Sequence, residues 1–362
     1  MGVIGFGGPA AHIALMRHEV VERRRWLDDA RFVDLVGITN LIPGPNSTEM
    51  AMHVGRLRAG GAGLVVAGLS FILPAVAIVL ALAWAYVTFG STPTAEAMLY
   101  GVKPVIVAIV AVALIAFART ALAGPLRIAV GGAVAALWLL GVNELVLLAA
   151  GALVVAAVRA GTRHPWAAAA ISIPAGATLA AASTSVNLIT LAGVFLKAGA
   201  LLYGSGYVLL AFLRGDLVER LGWLTDTQLL DAVAIGQVTP GPLFTTATFV
   251  GYILAGVPGA LVATVAIFLP AFVFVAIIGP LGDRLRDRPL AAALLDGVNA
   301  AAIGLMAAVS LHLAGSALKD PITVMLALGA GMGLLWGRVP SIVLILAGAV
   351  VGVLLNTMFT LR

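Results

Sequence analysis

Apolar runs follow one another from end to end of the chain with only short polar breaks. Many reach the roughly 20 residues a helix needs to cross a hydrocarbon core about 30 Å thick. Spans are expected near 61–88, 98–118, 125–141 and 143–159; an inverted arrangement of the halves requires that 166–183 does not span, whereas one more crossing there makes them parallel. The apolar run 31–57 is divided by Pro43-Gly44-Pro45, where two prolines block helix continuity. Two short helices of about 12 residues, each about 18 Å long, are expected there. Neither piece can cross alone, so they either stack into one broken span or fold back as a re-entrant hairpin with Pro-Gly-Pro at its tip.

The pattern occurs twice. Trp26-Leu27 recurs as Trp223-Leu224, Val21-Glu22-Arg23 as Val218-Glu219-Arg220, and Pro43-Gly44-Pro45 as Pro240-Gly241-Pro242, all at one constant offset. Beyond the second proline the offset drops by one: Pro74 meets Pro270, Gly101-Val102 meets Gly297-Val298, and Pro125 meets Pro321. The copies are therefore residues 1–160 and 187–362, joined by a linker over 161–186 that contains Pro174 and Gly176. Duplicated halves of this kind are a common plan for membrane transporters.

Basic residues arbitrate the topology, because cytoplasmic loops are enriched in Lys and Arg. A hairpin at the first break keeps Arg17, Arg23, Arg24, Arg25 and Arg31 on the same side as Arg56 and Arg58, whereas a broken span separates them. With the hairpin, Arg119, Arg127, Arg159 and Arg163 also fall inside. The expected fold is thus all-α and polytopic: two inverted-topology repeats, each of about five transmembrane helices plus a broken or re-entrant hairpin at Pro-Gly-Pro. Inversion places Arg284, Arg286, Arg288 and Arg338 inside and leaves Arg214, Arg220, Lys319 and Arg362 outside.

Composition agrees: 62% of the 362 residues are hydrophobic and 10% charged, against about half and about a quarter in a soluble domain. The net charge of +5 fits the positive-inside bias and carries no case for nucleic acid. The basic residues follow the first apolar stretch, so no removable signal sequence is expected. Cysteine is absent, the histidines His12, His18, His53, His164 and His312 form no ligand pair, and no nucleotide-binding loop occurs. No metal, cofactor, enzymatic activity or ATP-driven pumping is expected. A homodimer is compatible with the pattern.

A helix that begins inside a membrane presents unpaired N–H groups and the positive end of its dipole, together an anion site. The first break is followed by Asn46-Ser47-Thr48-Glu49 and the second by Leu243-Phe244-Thr245-Thr246, and inverted symmetry brings such tips toward the midplane. Gly44, Asn46, Ser47, Thr48, Gly241, Thr245 and Thr246 are therefore candidate substrate-binding residues. Asn40 and Gln237 correspond and precede the breaks by three residues, within reach of the tips as neutral donors. Gly7 and Gly8, in a segment matching Gly204-Ser205-Gly206, offer a second flexible break where backbone can approach a ligand. Kinked helices and close packing through small residues are the competing explanations.

Ionisable groups at membrane depth are costly and so are functional candidates: Glu49, Lys103 and Lys197. Lys103 either attracts the anion or pairs with Glu49, and its counterpart Asn299 is neutral. Glu49 either carries a coupling proton or sits in that static pair. Lys197 is expected to snorkel, and the matching pair Asp34 and Asp231 to cap or anchor near an interface.

These motifs resemble the chromate ion transporters in their two-domain, long-chain form: Phe6-Gly-Gly-Pro-Ala-Ala-His12, Trp26-Leu27, Leu41-Ile-Pro-Gly-Pro45, Gly55 and Pro74, then Trp223-Leu224, Pro240-Gly-Pro242 and Leu269-Pro270. The resemblance covers essentially the whole chain. It implies secondary active export of chromate, and resistance to it, by a multi-pass protein of a prokaryotic inner membrane. Sulfate or another oxyanion as substrate, or a passive anion channel, are the alternatives. The departure is at the start: the residues before Gly204 continue an apolar run, whereas few residues precede Gly7, so the first helix is expected to be truncated.

Overall fold

The computed structural model of the chain describes residues 2, 5, 8–40, 42–160, 186–203, 206–278, 289–337 and 339–360. Among them every regular element is helical. In the first copy α1 (Gly8–Arg17) runs into a π-helical segment, His18–Arg23, followed by α2 (Asp29–Thr39), α3 (Asn46–Phe89), α4 (Pro93–Ala121), α5 (Pro125–Leu139) and α6 (Glu144–Ala160). After α7 (Leu188–Leu201) the same order returns. A short α8 (Leu209–Leu213) enters a π-helical segment, Arg214–Arg220, then come α9 (Asp226–Val238), α10 (Thr246–Ile278), α11 (Pro289–Ala317), α12 (Pro321–Leu335) and α13 (Ser341–Thr360). The duplication extends even to the rare π-helical turn.

Among the described residues five helical stretches are long and apolar enough to cross a membrane: Asn46–Phe89, Pro93–Ala121, Leu243–Ile277, Pro289–Ala317 and Ser341–Met358. Exposed Val257, Leu261, Val265, Leu269, Val273 and Ile277 form an apolar stripe along α10 at a four-residue spacing, a face suited to lipid rather than water. The expected spans at 125–141 and 143–159 emerge as helices of 15 and 17 residues. At 1.5 Å per residue these reach about 22 and 25 Å, short of a full crossing. Lengths alone therefore do not give five full spans per half.

The longest helices are not straight. Ala59 (φ −147°, ψ 29°) and Gly60 (φ 59°, ψ −142°) interrupt α3, and Ala255 (φ −147°, ψ 28°) and Gly256 (φ 61°, ψ −152°) interrupt α10 with the same geometry. Only glycine enters the second conformation of each pair cheaply. The chain reverses there. Thr248 and Thr264 would be about 24 Å apart along a straight helix, yet their hydroxyl oxygens lie 2.7 Å apart. Gly55 abuts the Gly63 backbone, and Gly251 that of Gly259, across the two reversals. Each long element is thus a short limb laid back against a long one.

The halves grip each other reciprocally. α4 packs on α13 where Gly101 abuts Gly348, and the counterpart α11 packs on α6 where Gly297 abuts Gly151. Small residues let these backbones approach closely, the usual means of joining helices without a hydrophobic driving force.

Candidate functional site

Both Pro-Gly-Pro loops are built into the opposite half. The Gly44 N–H donates to Leu202 O at 2.8 Å, and the Gly241 N–H donates to Gly5 O at 2.9 Å; Gly5 and Leu202 correspond in the repeat. Gly44 faces Ala271 of α10 and Gly241 faces Ala75 of α3, again matched positions. Ala75 lies about 21 Å along the long limb of α3, which extends about 43 Å from Gly61 to Phe89. The second tip therefore sits near the middle of the first half's spanning limb, and the first tip about 21 Å along the long limb of α10, which extends about 33 Å from Val257 to Ile278. Both tip glycines have positive φ, 137° at Gly44 and 107° at Gly241.

At the first tip α3 starts on Pro45, which supplies no side-chain cap. Asn46 Nδ2 donates to Asn40 Oδ1 at 2.8 Å, joining two of the candidate residues. Ser47, Thr48 and Glu49 are buried. Thr48 Oγ1, both Glu49 carboxylate oxygens and His53 Nε2 find no hydrogen-bond partner among the described residues. Buried polar atoms are normally paired, so this row along one limb is a concentration of unmet hydrogen-bonding capacity. The Glu49 carboxylate lies against Gly44, where an added Cβ would collide with Oε1, and it acts electrostatically on the Tyr203 phenol.

The second tip is more self-contained. Pro242 likewise gives no side-chain cap. Thr245 Oγ1 donates to Pro242 O at 2.9 Å and Thr246 Oγ1 to Leu243 O at 2.8 Å, so both expected hydroxyl donors are occupied within their own turn. The cavity bordered by Gly206, Leu243 and Thr246 has about 10 Å³, room for about one water. Gln237 ends α9 half-buried. Gly8 opens α1, whereas Gly7 and its counterparts Gly204 and Ser205 lie outside the described residues.

Arg31 and Arg56 both act electrostatically on His53, and the Arg24 and Arg58 guanidiniums lie 4.9 and 5.0 Å from the Trp26 ring centroid. The start of α2 and the end of the short α3 limb are therefore at one end. Arg127 and Arg159 share Asp296, at 3.0 and 2.5 Å. Arg163, Arg284, Arg286, Arg288, Arg338, Arg362 and the segment 166–183 fall outside the described residues.

Two ionisable residues have partners that local sequence did not point to. Lys103 does not pair with Glu49: its Nζ lies 3.3 Å from Asp231 Oδ1. Asp231 is no interfacial anchor but is 1% exposed, and its Oδ2 accepts the Tyr86 hydroxyl at 2.9 Å. Lys197 bridges Glu144, at 3.2 Å, and Asp216 instead of snorkelling. His53, set aside in the sequence as an isolated polar residue, proves buried one helical turn from Glu49. Its only local signal is the i, i+4 spacing from Glu49.

The sequence pattern described as "Chromate transporter" matches residues 1–156 and 189–353. A "Chromate transport protein" of Cupriavidus metallidurans is 34% identical, covering 96% of this chain and 89% of its own. One of the same description from Pseudomonas aeruginosa is 35% identical over 97% and 89%. A "Probable chromate transport protein" of Synechococcus elongatus is 32% identical over 98% and 93%. No solved structure matches the chain.

Proposed function

The chain belongs to the chromate transporter family, a multi-pass protein of the prokaryotic plasma membrane, and from that premise we propose that it exports chromate by secondary active transport. The anion is held by the helix N-termini after the two Pro-Gly-Pro breaks, with Asn46, Ser47 and Thr48 on one side and Thr245 and Thr246 on the other; Gly44 and Gly241, whose N–H groups are bound to Leu202 O and Gly5 O, shape the tips, and the two threonine hydroxyls leave Pro242 O and Leu243 O to reach the ion. Chromate is a tetrahedral dianion, and open backbone N–H groups with hydroxyls suit such an oxyanion without a metal. Asn40, Gln237 and Lys103 complete the polar surroundings, and Gly7 and Gly8 give backbone access. Inside-negative potential drives negative charge outward by about 2.3 kcal/mol per charge per 100 mV, which favours export.

The halves are read as inverted repeats, each with a re-entrant hairpin. Gathering of Arg24, Trp26, Arg31, Arg56 and Arg58 at one end supports the hairpin, and the reciprocal contacts support a two-fold relation. The single observation that carries the mechanism is Glu49, fully buried without a hydrogen-bond partner in the first turn of α3. An ionised Glu49 competes with an oxyanion for the same positive helix end; a protonated Glu49 does not. Proton and anion occupancy are thereby linked, and the small cavity at the second tip requires the halves to rearrange before the ion is admitted.

Glu49→Gln keeps the shape and removes the charge. It should fold normally, exchange chromate down its gradient and accumulate less chromate than wild type under an imposed pH gradient. Wild-type accumulation in that variant would remove Glu49 from coupling, and loss of all flux on Lys103→Gln with normal folding would place Lys103 in the binding step.

A further inference from the structure

Lys103, Asp231 and Tyr86 come from three helices and both halves. α4 supplies Lys103, α3 supplies Tyr86 and α9 supplies Asp231, which is sealed from solvent. The carboxylate is divided in function: Oδ2 accepts the Tyr86 hydroxyl, while Oδ1 faces the Lys103 ammonium at 3.3 Å and has no other partner among the described residues. Five residues on, about 7.5 Å along α9, Gly236 abuts the Thr246 side chain at the second tip. Tyr86 stacks edge-on against Phe249 of α10, with centroids 5.1 Å apart. The pair is thus mechanically continuous with the candidate anion site.

We propose that Asp231 is an internal stand-in for the transported oxyanion, holding Lys103 while the site is empty and releasing it to the incoming anion when Asp231 takes up a proton. This rests on the transport reading above and adds to it a second, independent proton-linked group. The charge balance is simple. While the site is empty the Lys103–Asp231 pair is neutral. A dianion entering beside that neutral pair gains no net countercharge from it, which a desolvated site disfavours. Addition of one proton to Asp231 Oδ1 leaves Lys103 as a free ammonium, and the anion takes the place of the carboxylate with no bond made or broken except that O–H bond. Tyr86 continues to donate to Oδ2 and keeps the carboxyl group in place.

Other charges do not substitute. Helices α10 and α13 carry no charged residue among those described. On α11, Asp296 is held by Arg127 and Arg159, and His312 faces Asp226 and Arg214. In the neighbouring π-helical segment Arg214 binds Asp226 and Glu219, while Asp216 binds Arg220 and Lys197. Among the described residues the groups acting on Asp231 are Lys103 and Tyr86.

The test is chromate binding to purified full-length protein in lightly buffered detergent, with proton uptake read by a pH indicator and apparent Kd measured across pH. Wild type should take up protons on binding, and above the titration range of both groups its Kd should rise by up to about tenfold per pH unit for each of the two linked protons, as the protonated fractions fall. Asp231→Asn should take up one proton fewer and show a shallower Kd profile; Glu49→Gln retains this component. Should Asp231→Asn fail to fold, Tyr86→Phe serves, because it must shift the pH midpoint of the same component by weakening its hold on the carboxylate. Proton uptake and Kd slope unchanged in Asp231→Asn, or an unshifted midpoint in Tyr86→Phe, overturn the proposal while leaving chromate transport intact. No chromate binding by wild type overturns both.

Discussion

Gly44→Ala tests whether the first tip is built as described. At φ 137° an L-residue pays about 1–3 kcal/mol of backbone strain. The new methyl also collides with the Glu49 Oε1 atom in a buried site, and overpacking of this kind costs about 1–3 kcal/mol more. Scaling the usual unfolding entropy per residue to a chain of 362 residues gives on the order of 1 °C of melting shift per kcal/mol. A drop of several degrees is therefore expected for purified protein in detergent, followed by tryptophan fluorescence during heating. In a Glu49→Ala background the collision disappears and only strain remains, so the two substitutions should couple by about 1–3 kcal/mol. Gly241→Ala is the control: its methyl meets the Ala75 methyl, so Glu49→Ala should bring no relief there. An equal drop from Gly44→Ala in both backgrounds would refute the placement of Glu49 against the tip.

Thr264→Val should cost about 1–3 kcal/mol by orphaning the buried Thr248 hydroxyl. Thr248→Val should cost less, because Thr264 keeps its bond to Ala260 O; equal melting shifts would contradict the reversal in α10. Lys197→Met leaves buried Glu144 with no cation among the described residues and should destabilise by about 3–5 kcal/mol, with much of the loss recovered by adding Glu144→Gln. Arg56→Gln removes the bonds to Val275 O and Ala276 O, 2.5 and 2.7 Å long, that join the two halves. Hydrogen exchange should then rise at the end of α10 with little change in α13.

The repeat, the long apolar helices and the break at Pro-Gly-Pro were legible because each leaves a local mark: a fixed offset, a run length, a pair of prolines. The reversals at Ala59-Gly60 and Ala255-Gly256 were not, because an apolar run with one glycine reads as a continuous helix until Gly55 and Gly63 are seen to touch. Sequence also placed Glu49 at a helix start, but of its two readings for Lys103, attraction of the anion or pairing with Glu49, the second gives way to Asp231. Asp231 lies far along the chain, and a salt bridge between halves is fixed by how two repeats interlock, which no periodicity encodes. The same holds for Lys197, whose partners Glu144 and Asp216 come from opposite halves. Thr245 and Thr246 were rightly read as helix-start residues, but their hydroxyls turn back onto Pro242 and Leu243.

The decisive measurement of chromate export is uptake of labelled chromate into inverted vesicles, with membrane potential and pH gradient imposed separately and sulfate as competitor. Accumulation above equilibrium, competed weakly by sulfate, is expected. Flux that only dissipates the chromate gradient under every imposed force, or sulfate accumulation with no chromate flux, would contradict chromate export.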